Sequence, residues 1–167
     1  MVSTRLLDWA KGIRNRDADF ASALNDQRVW VCRLALKIVG TAEDAEDVAQ
    51  KALVQAWRRR GDLQATERFH GWLRQIVVRS ALNHLKSMKQ TTALAEERAE
   101  VASGENAVLV RTTLARMNAD QRALLALALG ERLSYREIAE VLDVPEGTVS
   151  SRLNAAKAAF RNLWEEI

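Results

Sequence analysis

The chain has 167 residues, of which 48% are hydrophobic, and it contains one proline and one cysteine. This length fits one ordinary domain or two small ones, and the composition favours helices over a turn-rich β fold. A single cysteine excludes an internal disulfide, and the net charge of +3 permits a nucleic-acid partner without requiring one.

Neither a membrane span nor a secretion signal is visible. No apolar run has the length of a transmembrane helix, and the first residues lack a signal-peptide core. Cys32 lies among Trp30, Val31 and Leu34, a setting typical of a small core residue in a reducing compartment. We therefore expect a cytoplasmic protein, with no membrane insertion of this chain.

Apolar residues recur at helical spacing through the first half of the chain. A short amphipathic helix is predicted at 6–13, and a longer one from about residue 19 to the glycine at position 40. Thr41 is placed to cap a third helix. Residues 58–68 form a predicted loop, and a fourth helix begins at Phe69.

The helical pattern fades between residues 87 and 107, where charges are frequent and large apolar residues are few. We therefore predict an all-α fold with two small helical domains, residues 1–86 and 108–167, joined by a flexible linker of residues 87–107.

Start signals for helices mark the second domain. Asn118 with Gln121, and Ser134 with Glu137, each have the spacing of a capping box. Pro145 suits the first turn of the last helix, which is predicted to run to about residue 164.

The stretch SYREIAEVLDVPEGTVSSRL, residues 134–153, has the pattern of a helix-turn-helix. Ala139 provides the small residue that a close helix crossing needs. Hydroxyl, amide and cationic groups contact phosphates and base edges, and such groups occur on the outward face of the last helix at Thr148, Ser150, Ser151, Arg152, Asn154 and Lys157. A helical hairpin without a role in DNA binding has a similar pattern, so the pattern alone favours DNA binding only modestly.

Three stretches carry a family resemblance. QRALLALALGERLSYREIAEVLDVPEGTVSSRLNAAKAAF, residues 121–160, resembles region four of bacterial extracytoplasmic-function sigma factors. DAEDVAQKALVQAW, residues 44–57, and FHGWLRQIVVRSALNHLK, residues 69–86, resemble region two of the same family. The matches occur in the family's order and cover nearly the whole chain.

The resemblance implies a function for each domain. The first domain would be sigma region two, which binds the polymerase clamp and recognises and melts the minus-ten element. The second would be region four, whose helix-turn-helix reads the minus-thirty-five element. The implied partners are core RNA polymerase, promoter DNA and an anti-sigma factor, and the implied role is promoter-specific transcription initiation.

Acidic and amide side chains follow the predicted cap at Thr41. Their ordinary interpretation is a solvated helix N-terminus, where carboxylates meet the helix dipole favourably. The resemblance makes them candidates for contact with the polymerase clamp, at Asp44, Asp47, Gln50 and Lys51. Lys51 departs from the family, which usually has an acid at this position.

Cations and an amide supply the candidate minus-ten contacts that the resemblance implies. They are Arg58, Arg59, Arg60, Arg74, Arg79, Asn83 and Lys86. A run of charges is usually a solvated surface. Arg79 replaces an asparagine that is common in the family.

Trp57 and Trp72 are predicted to be core residues, and Trp72 could also line the site of strand opening.

The candidate minus-thirty-five contacts lie on the two helices of the helix-turn-helix. They are Tyr135, Arg136, Thr148, Ser150, Ser151, Arg152, Asn154 and Lys157. Ser150 and Ala155 occupy positions where the family often has Lys or Arg, so attraction to phosphates and its salt dependence are expected to be weaker.

The sequence offers little support for an enzyme. His70 and His84 are too few and too poorly accompanied for a metal site, and no phosphate-binding glycine loop or nucleophile elbow is visible. We expect no cofactor. Two other hypotheses remain: a sigma-like protein that binds polymerase or a regulator without productive initiation, and a stand-alone helix-turn-helix regulator.

Overall fold

The computed structural model describes residues 16–63, 65–91 and 105–166. These residues form α-helices with short connections, so the all-α prediction is confirmed for them; the helix predicted at 6–13 lies outside the described residues. The helices are α1 Arg16–Asp26, α2 Arg28–Val39, α3 Ala42–Arg58, α4 Phe69–Thr91, α5 Glu105–Arg116, α6 Ala119–Leu125, α7 Tyr135–Leu142 and α8 Glu146–Glu165, with a π-helical turn at Ala126–Gly130 after α6.

The single helix predicted from residue 19 to Gly40 is two helices, which meet at Gln27. The backbone N–H of Gln27 donates to the carbonyl of Leu24, a three-residue step that interrupts the α-helical ladder. The predicted end at Gly40 is confirmed. Gly40 has φ 94°, a left-handed conformation in which a side chain would be strained, and its N–H donates to the Leu36 carbonyl.

Helix α3 begins where the sequence predicts. The Thr41 side chain accepts a hydrogen bond from the backbone N–H of Asp44, which satisfies one of the free donors of the first turn. The buried face of α3 consists mainly of small residues, so the backbones of α2 and α4 can approach it closely. These residues are Ala45, Val48, Ala49, Ala52 and Ala56.

An aromatic cluster closes the core of the first domain. Phe20 lies within ring-centroid distances of 6.0–6.2 Å of Trp57, Phe69 and Trp72. Trp57 and Trp72 are partly buried against this core, in agreement with the sequence prediction. Edge-to-face and tilted contacts of this kind stabilise a core beyond simple area burial.

Helix α4 continues past the predicted start of the linker. It runs unbroken to Thr91, so residues 87–91, predicted to belong to the linker, are helical. The predicted loop before α4 contains two short 3-10 turns, at Arg60–Asp62 and Thr66–Arg68.

The helix-turn-helix of the second domain is present as predicted. Ser134 caps α7, its side chain accepting from the N–H of Glu137 while the Glu137 carboxylate accepts from the N–H of Ser134. Helix α7 ends at Asp143, which has φ 55°, and α8 follows Pro145. Ile138 on α7 and Val149 on α8 are fully buried, so the two helices share a core.

The two domains are packed against each other. Their buried apolar residues form one connected cluster. Helix α4 contacts both α6 and α7, and α2 contacts α6. Helix α4 therefore belongs to the core of the first domain and to the junction with the second. Among the described residues, no helix is both long enough and apolar enough to cross a membrane.

We predict that Ser134→Ala lowers the free energy of unfolding by about 1 kcal/mol, because one N–H at the start of α7 loses its acceptor and Glu137 loses the Ser134 hydroxyl. Ser134→Thr keeps the hydroxyl and is expected to retain most of the stability. Urea unfolding followed by circular dichroism compares the two variants. Equal stability of the alanine and threonine variants would contradict the role assigned to the cap.

Candidate nucleic-acid and partner-binding surfaces

The carboxylates at the start of α3 are engaged within the chain. Asp44 Oδ1 lies 2.9 Å from His84 Nε2 on α4, and Asp44 Oδ2 accepts from the Thr41 hydroxyl at 2.6 Å. Asp47 Oδ2 accepts from Lys51 Nζ at 2.6 Å and lies 3.6 Å from His84 Nδ1. His84, which the sequence analysis assigned no role, therefore links both candidate polymerase contacts to α4.

An open groove runs along α3 beside these acids. It presents a carboxylate, amides, cations and an exposed valine. This mixture of apolar and hydrogen-bonding groups is typical of a protein-binding surface rather than of a small-molecule site. The lining residues include three of the four predicted polymerase contacts and are Asp47, Gln50, Lys51, Val54, Gln55 and Arg58.

The three arginines after α3 differ in their contacts. Arg58 is exposed and lines the groove. Arg59 pairs with Asp62 at 2.8 Å. Arg60 pairs with Asp17 at 2.9 Å and lies 4.5 Å from the centre of the Trp57 ring, a cation–π contact. All three are at the surface, and the two pairs would compete with any phosphate for Arg59 and Arg60.

The candidate minus-ten contacts on α4 fall into two groups in the structure. Asn83 and Lys86 are exposed, and Arg79 is exposed with its guanidinium 3.7 Å from Asp143 of the helix-turn-helix. Arg74 is different: it is partly buried and lies 5.6 Å from the Trp30 ring centre. Arg74 and Arg79 are therefore at the junction of the domains, whereas Asn83 and Lys86 are beyond it.

The outward face of α8 is polar along its N-terminal half. Ser151, Arg152, Asn154 and Lys157 are exposed, as the sequence predicts. Thr148 and Ser150 are only partly exposed, and the Ser151 hydroxyl donates to the backbone carbonyl of Thr148 at 3.1 Å.

The predicted contacts on α7 also lie at the surface. Tyr135 and Arg136 are exposed, and Arg136 Nε lies 3.4 Å from Glu140 one turn along the helix. They are therefore accessible at the surface of the helix-turn-helix.

Glu131, in the loop after the π-helical turn, makes contacts with the first domain that the sequence analysis did not predict. Its carboxylate accepts from Trp30 Nε1 at 3.0 Å and from Lys37 Nζ at 2.7 Å, both on α2. Burial alone would raise the pKa of Glu131, but the hydrogen bonds from Lys37 and Trp30 and the positive charges of Lys37 and Arg74 outweigh it, so that the pKa lies below its usual value. Glu131 is therefore ionised at neutral pH.

Among residues 16–63, 65–91 and 105–166, no group of three or more His, Cys, Asp or Glu side chains is arranged to hold a metal ion. His84 is occupied by two carboxylates, and Cys32 is partly buried and free of a disulfide.

Both domains match known families. Residues 25–91 match Sigma-70 region 2, and residues 107–160 match Sigma-70 region 4. Relatives include the RNA polymerase sigma-H factor of Pseudomonas aeruginosa, 32% identical over 76% of this chain and 76% of that protein. The ECF RNA polymerase sigma factor SigM of Mycobacterium tuberculosis is 35% identical over 78% of this chain and 69% of that protein.

Solved structures share the fold. The sigma factor RpoE in complex with the anti-sigma factor NepR from Bartonella quintana aligns with a TM-score of 0.69 and 20% identity, covering 88% of this chain and 97% of that one. CnrH in complex with the cytosolic domain of CnrY aligns with a TM-score of 0.68 and 19% identity, covering 98% and 99% of the two chains.

We predict that His84→Ala lowers the free energy of unfolding by about 1–2 kcal/mol, because a largely buried side chain that joins α4 to two carboxylates of α3 is lost. The neighbouring exposed residue supplies a control, and Asn83→Ala is expected to change stability by less than about 0.5 kcal/mol. Urea unfolding of both variants makes the comparison. If the two variants unfold alike, His84 does not couple the helices.

Proposed function

We propose a residue-level mechanism for this chain, which belongs to the extracytoplasmic-function group of RNA polymerase sigma factors and directs core RNA polymerase to promoters. The observation that carries the mechanism is that the chain has two distinct polar surfaces, one on each domain. A groove suited to a protein lies on α3, and an outward polar face suited to DNA lies on α8.

The α3 groove is the proposed contact with the polymerase clamp. Asp44 and Asp47 provide negative charge, Gln50 provides an amide, and Val54 provides exposed apolar area. Lys51 pairs with Asp47 at 2.6 Å, so it neutralises part of the charge that the clamp would meet. Both side chains of this pair are well exposed, and an exposed pair of this kind contributes little stability. It can therefore separate when a stronger partner for Asp47 arrives.

Helix α8 is the proposed reader of the minus-thirty-five element. The outward face of its N-terminal half is exposed and polar at Ser151, Arg152 and Asn154, and a recognition helix contacts base edges from this half. Asn154 has an amide that can pair with adenine, while Arg152 and Lys157 can approach guanine or phosphates. Arg136 on α7 is proposed to contact the DNA backbone beside the major groove.

The loop after α3 and the exposed part of α4 form the proposed minus-ten surface. Its cations would follow the backbone of the separated strand, and aromatic side chains nearby provide stacking surfaces for unpaired bases. Trp57 and Trp72 are only partly buried, and the indole nitrogen of Trp72 has no hydrogen-bond partner. Asn83 and Lys86 extend the surface along α4.

An anti-sigma factor is a further proposed partner. Support comes from two solved structures of the same fold, RpoE in complex with the anti-sigma factor NepR and CnrH in complex with the cytosolic domain of CnrY. We also propose that the chain acts in the cytoplasm, where bacterial RNA polymerase meets the chromosome, and that it carries out no catalytic step. Polymerase itself forms every phosphodiester bond.

Reconstituted transcription tests the mechanism. The purified chain is mixed with bacterial core polymerase and fragmented genomic DNA from its source, and transcript starts are mapped. Discrete starts that share two spaced upstream motifs are expected. Polymerase binding without starts above those of core polymerase alone would contradict productive initiation, and an absence of both would contradict the proposed clamp contact.

We predict that Asp47→Arg weakens binding to core polymerase about tenfold or more, equivalent to roughly 1.4 kcal/mol, because a carboxylate in the groove becomes a cation. Glu46→Arg makes the same charge change on the adjacent exposed residue, which does not line the groove, and is expected to have a much smaller effect. Fluorescence anisotropy with labelled chain measures both affinities. Equal losses in the two variants would mean that net charge, and not the groove, controls binding.

We predict that Asn154→Ala reduces transcription from a mapped promoter by about tenfold, because an amide contact to a base is typically worth about 1–3 kcal/mol. Asn162→Ala, two turns further along the same exposed side of α8, is the control and should transcribe like wild type. Both are assayed on the natural promoter and on one with an altered upstream motif. A loss on the natural promoter that becomes small on the promoter with the altered motif supports recognition by Asn154, whereas an equal loss on both promoters would contradict it. Unchanged promoter choice and strength would mean that α8 is oriented differently on DNA.

A further inference from the structure

A series of polar contacts joins the start of α3 to α4. The Thr41 hydroxyl donates to Asp44 Oδ2 at 2.6 Å, and Asp44 Oδ1 lies 2.9 Å from His84 Nε2. The other ring nitrogen, His84 Nδ1, lies 3.6 Å from Asp47 Oδ2. One imidazole on α4 therefore lies between two carboxylates that are almost one turn apart on α3.

The first of these carboxylates, Asp44, is engaged within the chain. Each of its oxygens has a partner, and the Thr41 hydroxyl that donates to it also accepts from the backbone N–H of Asp44 at 3.2 Å. Asp44 does not line the α3 groove. A carboxylate bound to one nitrogen of an imidazole fixes the orientation of the ring. Asp44 is thus better placed to hold His84 than to meet a partner.

The second carboxylate, Asp47, lines the groove and is held less tightly. Its side chain is 44% exposed, and Lys51, which pairs with it, is more exposed still. Such a pair contributes little and separates easily, because water competes for both charges. The side chain of His84 is only 12% exposed, and the ring cannot turn away from Asp47 without losing Asp44. His84 is therefore the fixed neighbour of Asp47.

A fixed neighbour matters for binding because it limits the orientations that the Asp47 carboxylate can adopt. A mobile side chain that is ordered at an interface weakens binding by about two- to tenfold. A side chain that is already held in its bound orientation avoids most of this loss. The largely buried ring of His84 can provide this restraint without touching the partner itself.

We propose that His84 is a positioning residue for the contact with core polymerase. Held by Asp44, it keeps the Asp47 carboxylate at the edge of the groove, where a cationic group of the partner can meet it. This inference rests on the proposed clamp contact of α3. It adds a residue on α4 to that contact and changes the role of Asp44 from a direct contact to an anchor for His84.

A double-mutant cycle on the full chain tests the proposal. His84→Leu is made in the wild type and in an Asp47→Ala background, and affinity for bacterial core polymerase is measured by fluorescence anisotropy. Alone, His84→Leu is expected to weaken binding by about fivefold, within the range for a side chain that loses its order. In the Asp47→Ala background the loss should fall below about twofold, because residues that act through one contact are not additive.

Three further variants separate positioning from a general loss of stability. His84→Gln supplies an amide N–H near the place of Nε2, so it should keep the Asp44 contact and bind polymerase better than His84→Leu does. His70→Leu makes the same change at a partly buried histidine of α4 that contacts Trp30 and Phe69, and should leave the affinity unchanged. In a Gln50→Ala background the effect of His84→Leu should persist. Circular dichroism verifies that each variant is folded at the assay temperature.

Two results would overturn the proposal. If His84→Leu weakens binding equally in the wild type and in the Asp47→Ala background, His84 does not act through Asp47. If His84→Leu and His84→Gln are folded and both bind like the wild type, His84 positions nothing that polymerase uses. A failure of the proposed clamp contact has a different signature, because then Asp47→Ala and Gln50→Ala would themselves bind polymerase like the wild type.

Discussion

The packing of α4 constrains the rest of the structure. One side of this 23-residue helix completes the core of the first domain with α2 and α3. Another side receives α6 and α7 of the second domain. The remaining surface carries the side chains proposed to meet the minus-ten strand. Because a helix has a limited circumference, these three uses compete for positions. Arg74 and Arg79 fall where the proposed DNA surface and the domain junction overlap.

The helical elements could be predicted from the sequence because their signals are local. The Thr41 cap, the Gly40 end and the reciprocal pair of Ser134 and Glu137 each depend on residues a few positions apart, and the structure confirms all three. The break at Gln27 was not predicted, since apolar spacing continues through it and no glycine or proline marks it. The helical spacing of apolar residues predicted which side chains of α8 face outward. Thr148 and Ser150 differ from that prediction, because they are only partly exposed.

The missed residues share a different property, which is that their partners are distant in sequence. Glu131 is separated by 101 residues from Trp30 and by 94 from Lys37, and His84 by 40 from Asp44. No periodic pattern or short motif relates such positions, and without them His84 looks like an isolated histidine. Long-range ion pairs of this kind depend on how the domains dock, which hydrophobic periodicity does not determine. The chemistry of each surface was therefore predictable, whereas the internal partners of its charges were not.

The ion pairs within the chain bear on the positions at which its sequence differs from the family pattern. Lys51 and Arg79 both introduce cations, and each lies beside an acid of the chain itself, Asp47 and Asp143. Ser150 and Ala155 leave α8 with fewer positive charges, which weakens long-range attraction to DNA. Each surface of the isolated chain is thus partly neutralised. Two weak contacts become strong together when they are tethered at the right separation, because the second one then forms at a high effective concentration. Core polymerase can supply that separation, so promoter selection by this chain should depend more on holding the domains apart than on the affinity of either domain alone.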